Sequence, residues 1–425
     1  MARVWRVLAV AVACLVSVSL QAQPVDSAPP PPGVSPSLDS ARAIRGARMG
    51  VVMYTYGPGS EVFERFGHIA LAIRDSATGE DVAFNWGMFD FAQPHFLVNF
   101  LSGDTKYWMA GYRVMDFNAA YARDDRSIRM QTLFLPAIER AALFDFVAWN
   151  ATEAHKYYRY DYYRDNCATR IRDALDRVLG GQLRTAFSNV GSGRTWRGET
   201  ARITASDLPV YAGIEIALGR NADHVLTRWE EAFLPELLAD HLTSLVLRDQ
   251  FGGRFRLVMR DTMLRTANRI PLPSEAPSRL IPAMLLGLTL AGLLAAVADM
   301  NRRSARIAMA TVVAIWYGIG GVLGTLLLLA ATITKHAAYM GANITLLQLH
   351  PLLLVAAVVV PVAILRGVRN DTALGVSVTV ALLAACGALL QLLPTFAQHS
   401  GVVLAVTLPM HAAIAVAVWR LKRVA

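Results

Sequence analysis

The sequence predicts an α+β domain followed by an all-α bundle of five transmembrane helices. Charged residues are frequent as far as about position 280 and sparse beyond it, where Asp299 and Asp371 are the only acids in 281–425. Apolar alternation of period two near residues 66–75 reads as a strand. Five apolar stretches, at 281–298, 307–333, 347–365, 372–393 and 401–419, each approach the roughly 20 residues that a helix needs to cross a bilayer core.

In chain order, Arg3 and Arg6 precede an apolar run from Val7 to Leu20 that closes on Leu20-Gln21-Ala22. A positive start, an apolar core and a small terminal residue compose a secretory signal over 1–22, with cleavage expected after Ala22. An uncleaved anchor helix and a lipid-attachment site at Cys14 are the alternatives, although the apolar run continues past Cys14. Residues 23–47 are expected to be a Pro-rich linker, with PPPPGVSP (29–36) a stiff extended spacer.

The formal charge of +9 resolves by segment. Residues 281–425 carry nine Lys or Arg against two Asp, the first 23 residues add two more cations, and 24–280 is neutral. The basic character therefore reports membrane topology, and no nucleic-acid partner is expected. Arg302, Arg303 and Arg306 follow the first span, Arg366 and Arg369 the third, and Arg420, Lys422 and Arg423 the fifth. By the positive-inside rule those loops and the C-terminus face the cytoplasm, which leaves the soluble domain outside it. The signal directs that domain to the same side.

The soluble domain is expected over 48–275. Met49–Tyr54 reads as a strand leading into the Gly57-Pro58-Gly59 turn. FGHIALAIRD (66–75) is a second strand, and SATGED turns into a third over Asp81–Trp86. A helix is expected over 137–155. In YDYYRDNCATRIRDAL, Asp165 or Asn166 can cap a helix whose apolar face is Ile171, Ala174, Leu175 and Val178 and whose stop is Gly180-Gly181.

That places Cys167, the one thiol of the soluble domain, in the first turn of a helix, where unpaired N–H groups favour a thiolate. The bland alternative is a small hydrophobe packed beneath the helix start. His68 opens a strand after Gly67 and can serve as base to such a nucleophile. Asn85 on the next strand can orient its ring, though bonding a turn is the plainer role. His95, His155, His224 and His241 are scattered without metal-ligand spacing, and no phosphate-binding or serine-elbow motif occurs, so neither metal nor cofactor is expected. Asp161 and Asp165 read as capping residues rather than a calcium site, and most of Tyr157, Tyr158, Tyr160, Tyr162 and Tyr163 as packing, with one able to line an acyl or peptide groove.

The succession GPGSEVFERFGHIALAIRD, FNWGMFDF and YYRYDYYRDNCATRIRDAL, with TWRGE (195–199), GIEIALGRNAD (213–223) and FLPELL (233–238), resembles the domain of bacterial lipoprotein intramolecular N-acyltransferases across roughly 48–245. That family is similar to permuted papain-like (NlpC/lecithin:retinol acyltransferase-like) thiol enzymes, in which the histidine strand precedes the cysteine helix. The resemblance implies Cys167 as nucleophile and His68 as base. It also implies movement of an acyl chain through a cysteine thioester to the N-terminal amine of a lipoprotein. Diacylglyceryl lipoproteins or phospholipid acyl donors in the membrane are the partners expected. The five spans depart from the small acyltransferases, and HAAYMGANITLLQLHP (336–351) is similar to a segment of relatives with multi-span tails. There His336 and Asn343 read more simply as a capping loop than as approaching an acyl site. Two rival readings stand beside this one: a thiol amidase or peptidase acting on peptidoglycan peptides, and a non-catalytic envelope assembly factor with Cys167 inert.

Overall fold

A computed structural model describes residues 36–249, 251–300 and 302–423. The expected signal and the proline run up to residue 35 lie outside the described residues. Among the described residues the chain forms two compact units, one built from 36–204 with 225–274, the other from 205–224 with 275–423.

The first unit opens on a helix, Pro36–Ala47, where the whole of 23–47 was expected to be linker. No proline follows Pro36 in this stretch, its Ala and Arg are good helix formers, and a proline is tolerated in a first turn. Arg42 and Arg45 hold the helix to Asp145, at 3.5 and 2.5 Å.

Nine strands follow: β1 Met49–Tyr56, β2 His68–Asp75, β3 Asp81–Met88, β4 Lys106–Arg113, β5 Ile128–Leu133, β6 Tyr157–Arg159, β7 Val246–Arg248, β8 Arg254–Arg256 and β9 Val258–Arg265. Seven form an antiparallel sheet in the order β6-β4-β3-β2-β1-β5-β9, and β7 pairs with β8. β2 lies at the centre. Its Ile69, Leu71 and Ile73 pack with residues of the helices Ala137–Asn150 and Cys167–Val178. Its Ala70 and Ala72 belong to a second cluster with Tyr54, Tyr56 and the helix Val114–Arg123. Both faces are therefore dry, and the alternation along β2 is large against small. The helix expected over 137–155 stops at Asn150, whose Nδ2 donates to His155 O and whose Oδ1 accepts from Trp86 Nε1. Bonding its own downstream backbone and a core indole takes that side chain out of helical register.

The second unit holds five helices long and apolar enough to cross a membrane: Leu280–Asp299, Arg303–Ile333, Ile344–Arg366 (its first turn 3-10), Asp371–Leu390 and Gly401–Trp419. They share a core that includes Val313, Tyr317, Leu353, Val360, Val380 and Ile414. The three basic loops gather at one end. Arg420 pairs with Asp299 at 3.0 Å, Val368–Arg369 runs parallel to Lys422–Arg423, and the Arg306 guanidinium lies against Gly367.

Residues 205–224, expected in the soluble domain, belong to this second unit. Their helix Leu208–Ala217 ends in carbonyls that accept from side chains of the loops after the second and fourth spans. Asn343 Nδ2 donates to Ile216 O and Ala217 O, and Gln398 Nε2 to Leu218 O. Three orphan carbonyls at a helix end are thereby satisfied by two buried amides, which is why the segment follows the spans.

Candidate active site

Cys167 owes its place to Asn166. The Asn166 backbone is extended, and its Oδ1 accepts from the N–H groups of Ala168 and Thr169 at 3.0 Å each. Thr169 Oγ1 accepts in return from Asn166 N–H at 2.7 Å, completing a reciprocal cap. The other end of the Asn166 amide donates to Tyr162 O and Phe233 O, both at 2.9 Å, tying the helix start to the aromatic run before it and to FLPELL. Of the two cap candidates Asn166 is therefore the one used. Asp165 instead forms an ion pair with Arg170.

The helix start does not make a resting thiolate, contrary to the sequence expectation. Cys167 is only 6% exposed, and burial pushes its thiol up to about 12. The backbone N–H groups of Ile69, Ala168 and Cys167 itself pull the other way, as does Arg126. Desolvation of the charged form outweighs them.

His68 opens β2. Gly67 before it has φ 76°, and a Cβ there would lie 2.9 Å from Tyr56 O, so only glycine brings the chain into the strand this way. The β2–β3 register, Leu71 opposite Phe84 and Ala72 opposite Ala83, sets Asn85 opposite Ala70 and on the same face as His68. Accordingly His68 Nε2 and Asn85 Oδ1 form a hydrogen bond, while Asn85 Nδ2 donates to Met88 Sδ at 2.8 Å. An accepting Oδ1 assigns the imidazole proton to Nε2 and leaves Nδ1 with its lone pair. The ring lies parallel to that of Tyr121, 5.9 Å away. Burial drives the His68 imidazole down to about 4, against the Asn85 bond and with help from Arg126.

Cys167 and His68 both border Gly87. A Cβ there would lie 3.7 Å from Cys167 Cβ, 3.7 Å from His68 Cε1 and 3.8 Å from Tyr160 Cε2, so the three side chains surround one point. Gly87 has φ 101° and sits where the β3–β4 register shifts, which frees it from the regular ladder. The result is a neutral thiol beside a neutral imidazole whose outer nitrogen is oriented by an amide. Such a pair can ionise the sulfur when a substrate displaces water from it.

Three contributors carried no signal in the sequence, Gly87, Tyr121 and Arg126, while Tyr160 belongs to the tyrosine run before the cysteine. Arg126 lies in a turn, yet it is buried, donates to Gly57 O at 2.8 Å, approaches Glu64 at 3.6 Å and caps the Tyr121 ring at 4.6 Å. Its Nη2 is buried with no hydrogen-bond partner among the described residues. Only tertiary contact gives it a place beside the site. Other singled-out residues serve the scaffold. Asp161 caps the turn at Tyr163 and Arg164, Thr195 caps the TWRGE helix, and Asn343 caps the turn at Thr345. His155 stacks on Trp149, and His241 pairs with Glu231.

Residues 39–199 match the family model described as the Lnb N-terminal periplasmic domain, and residues 275–423 match that of the Lnb transmembrane domain. No curated protein and no solved structure gives a match. The two matched stretches belong to one family, cover more than two thirds of the chain and coincide with the α/β unit and the five spans. This membrane-anchored chain therefore belongs to the Lnb family, carrying both its periplasmic and its transmembrane domain.

Proposed function

We propose that the protein is a thiol acyltransferase that passes an acyl chain through a Cys167 thioester to the N-terminal amine of a lipoprotein, at the outer face of the cytoplasmic membrane. The observation that carries this reading is the junction at Gly87, with Cys167 and His68 on either side and Asn85 holding the imidazole.

In the mechanism, His68 Nδ1 takes the Cys167 proton as the sulfur attacks the ester carbonyl of a diacylglyceryl lipoprotein or a phospholipid. Backbone N–H groups at the helix start hold the resulting oxyanion. Collapse expels the lyso alcohol, which takes the proton from His68, and leaves the thioester. The lipoprotein α-amine then attacks the thioester carbonyl and yields its proton through His68 to the departing sulfur, regenerating the thiol beside the new amide. Asn85 Oδ1 stabilises the imidazolium formed in each half-reaction. The basic loops at one end of the bundle support a cytoplasmic C-terminus and a substrate reached from the opposite side.

Cys167→Ser tests the reading by mass spectrometry of lipoprotein N-termini from cells carrying only the variant. N-acylated termini are expected to disappear. Unchanged acylation sinks the transferase, while altered peptidoglycan fragments with unaltered lipoproteins would point to an amidase.

A further inference from the structure

From Gly87, an unbroken series of aromatic rings leads outward. Tyr160, whose edge borders Gly87, stacks on Tyr107 with centroids 4.2 Å apart, and Tyr107 lies 5.1 Å from Phe89. Phe89 meets Phe91 at 4.9 Å, and Phe91 meets Phe96 at 5.1 Å. The series ends in an exposed apolar surface: Phe91 is 62%, Leu97 66% and Val98 63% exposed. No charged residue occurs between Phe91 and Gly103. An exposed apolar patch of this kind marks a binding surface more often than it marks waste.

We propose that this ring series is the acyl-chain track of the site, holding the fatty chain of the substrate with its carbonyl at Cys167 and its tail running past Tyr107 and Phe89 onto Phe91 and Leu97. The inference rests on the acyl-transfer reading above and adds the path that the acyl chain follows from Cys167. Continuity with the sulfur favours an acyl chain over a protein partner or the bilayer surface, because neither of those requires the patch to reach the nucleophile. Every side chain named on the path up to Phe96 is aromatic, and the segment from Phe91 to Gly103 carries no charge. A hydrocarbon chain gains affinity with each methylene withdrawn from water, whereas a peptide would leave polar groups unpaired on such a surface.

The test needs no turnover. The full-length protein in detergent is alkylated with iodoacetamide or with N-dodecyl iodoacetamide, and modification of Cys167 is followed by mass spectrometry of its peptide. The wild type is expected to react about tenfold faster with the dodecyl reagent. Phe91→Glu and Leu97→Glu, both at exposed positions, are expected to erase most of that ratio, and Leu97→Phe to keep it. A wild type without chain-length preference, or charged variants that retain the wild-type ratio, would overturn the track. Acyl transfer would then stand or fall on Cys167→Ser alone, because that readout is independent of the alkylation ratio.

Discussion

At the scale of single residues, His68 and Cys167 are both held in their uncharged forms by burial, and this sets the pH behaviour. A base must be neutral to accept a proton, and His68, driven down to about 4, stays neutral well below the usual histidine range. Acyl transfer is therefore expected to lose its base only as pH drops through about 4, with no inflection near 6.5 in its pH profile. Stability follows the same shift. Between about 6.5 and 4 the unfolded chain binds a proton at His68 that the folded chain refuses, so stability rises with pH across that window, by at most about 3 kcal/mol. Urea titrations of wild type and His68→Phe at pH 4.5 and 7 measure it, and the variant is expected to lack this share of the slope. Asn85→Ala removes the acceptor that fixes the imidazole tautomer. Acyl transfer is expected to fall roughly 10²–10⁴-fold, with partial rescue by Asn85→Asp, whose carboxylate still accepts from Nε2.

At the scale of elements, the site depends on the two ends that meet there, the head of the cysteine helix and the start of β2. Asn166 supplies that helix with its cap and two further hydrogen bonds to Tyr162 and Phe233. Asn166→Ala is expected to cost about 1–2 kcal/mol from the cap, and more from the carbonyls left buried without donors. The melting temperature of the purified protein, followed by tryptophan fluorescence, reports the loss, and Asn166→Asp should recover the cap but not the two donated bonds. The cap, the strand bearing His68 and the helix stop were all legible in the sequence, because each follows from spacing of a few residues. The large-against-small alternation of β2 was not, because alanine and isoleucine both count as apolar in a pattern. The early end of the helix at Asn150 was hidden for a similar reason: the indole of Trp86 that claims its side chain is distant in the chain.

At the scale of the whole molecule, the five spans followed from length and composition alone, and the clustering of the three basic loops at one end agrees with their alternation. From the positive-inside rule, a membrane-impermeant maleimide added to intact spheroplasts is expected to label a cysteine placed at Lys335 but not one placed at Arg303. The reverse pattern would invert the topology. Residues 205–224 behaved differently. Their helix is short and apolar enough to pass for part of a soluble core, and its attachment depends on Asn343 and Gln398, more than a hundred positions downstream.

What the sequence determined by itself was what short-range periodicity and bulk hydropathy carry: the first three strands, the capped cysteine helix, the spans and the division of charge between them. Tertiary structure alone decided that burial disfavours the thiolate, that Arg126 and Tyr121 lie beside the imidazole, that Cys167 and His68 both border Gly87 and that aromatic rings lead away from it. Desolvation and side-chain juxtaposition depend on which distant segments pack together, and no local pattern of residues encodes that distance.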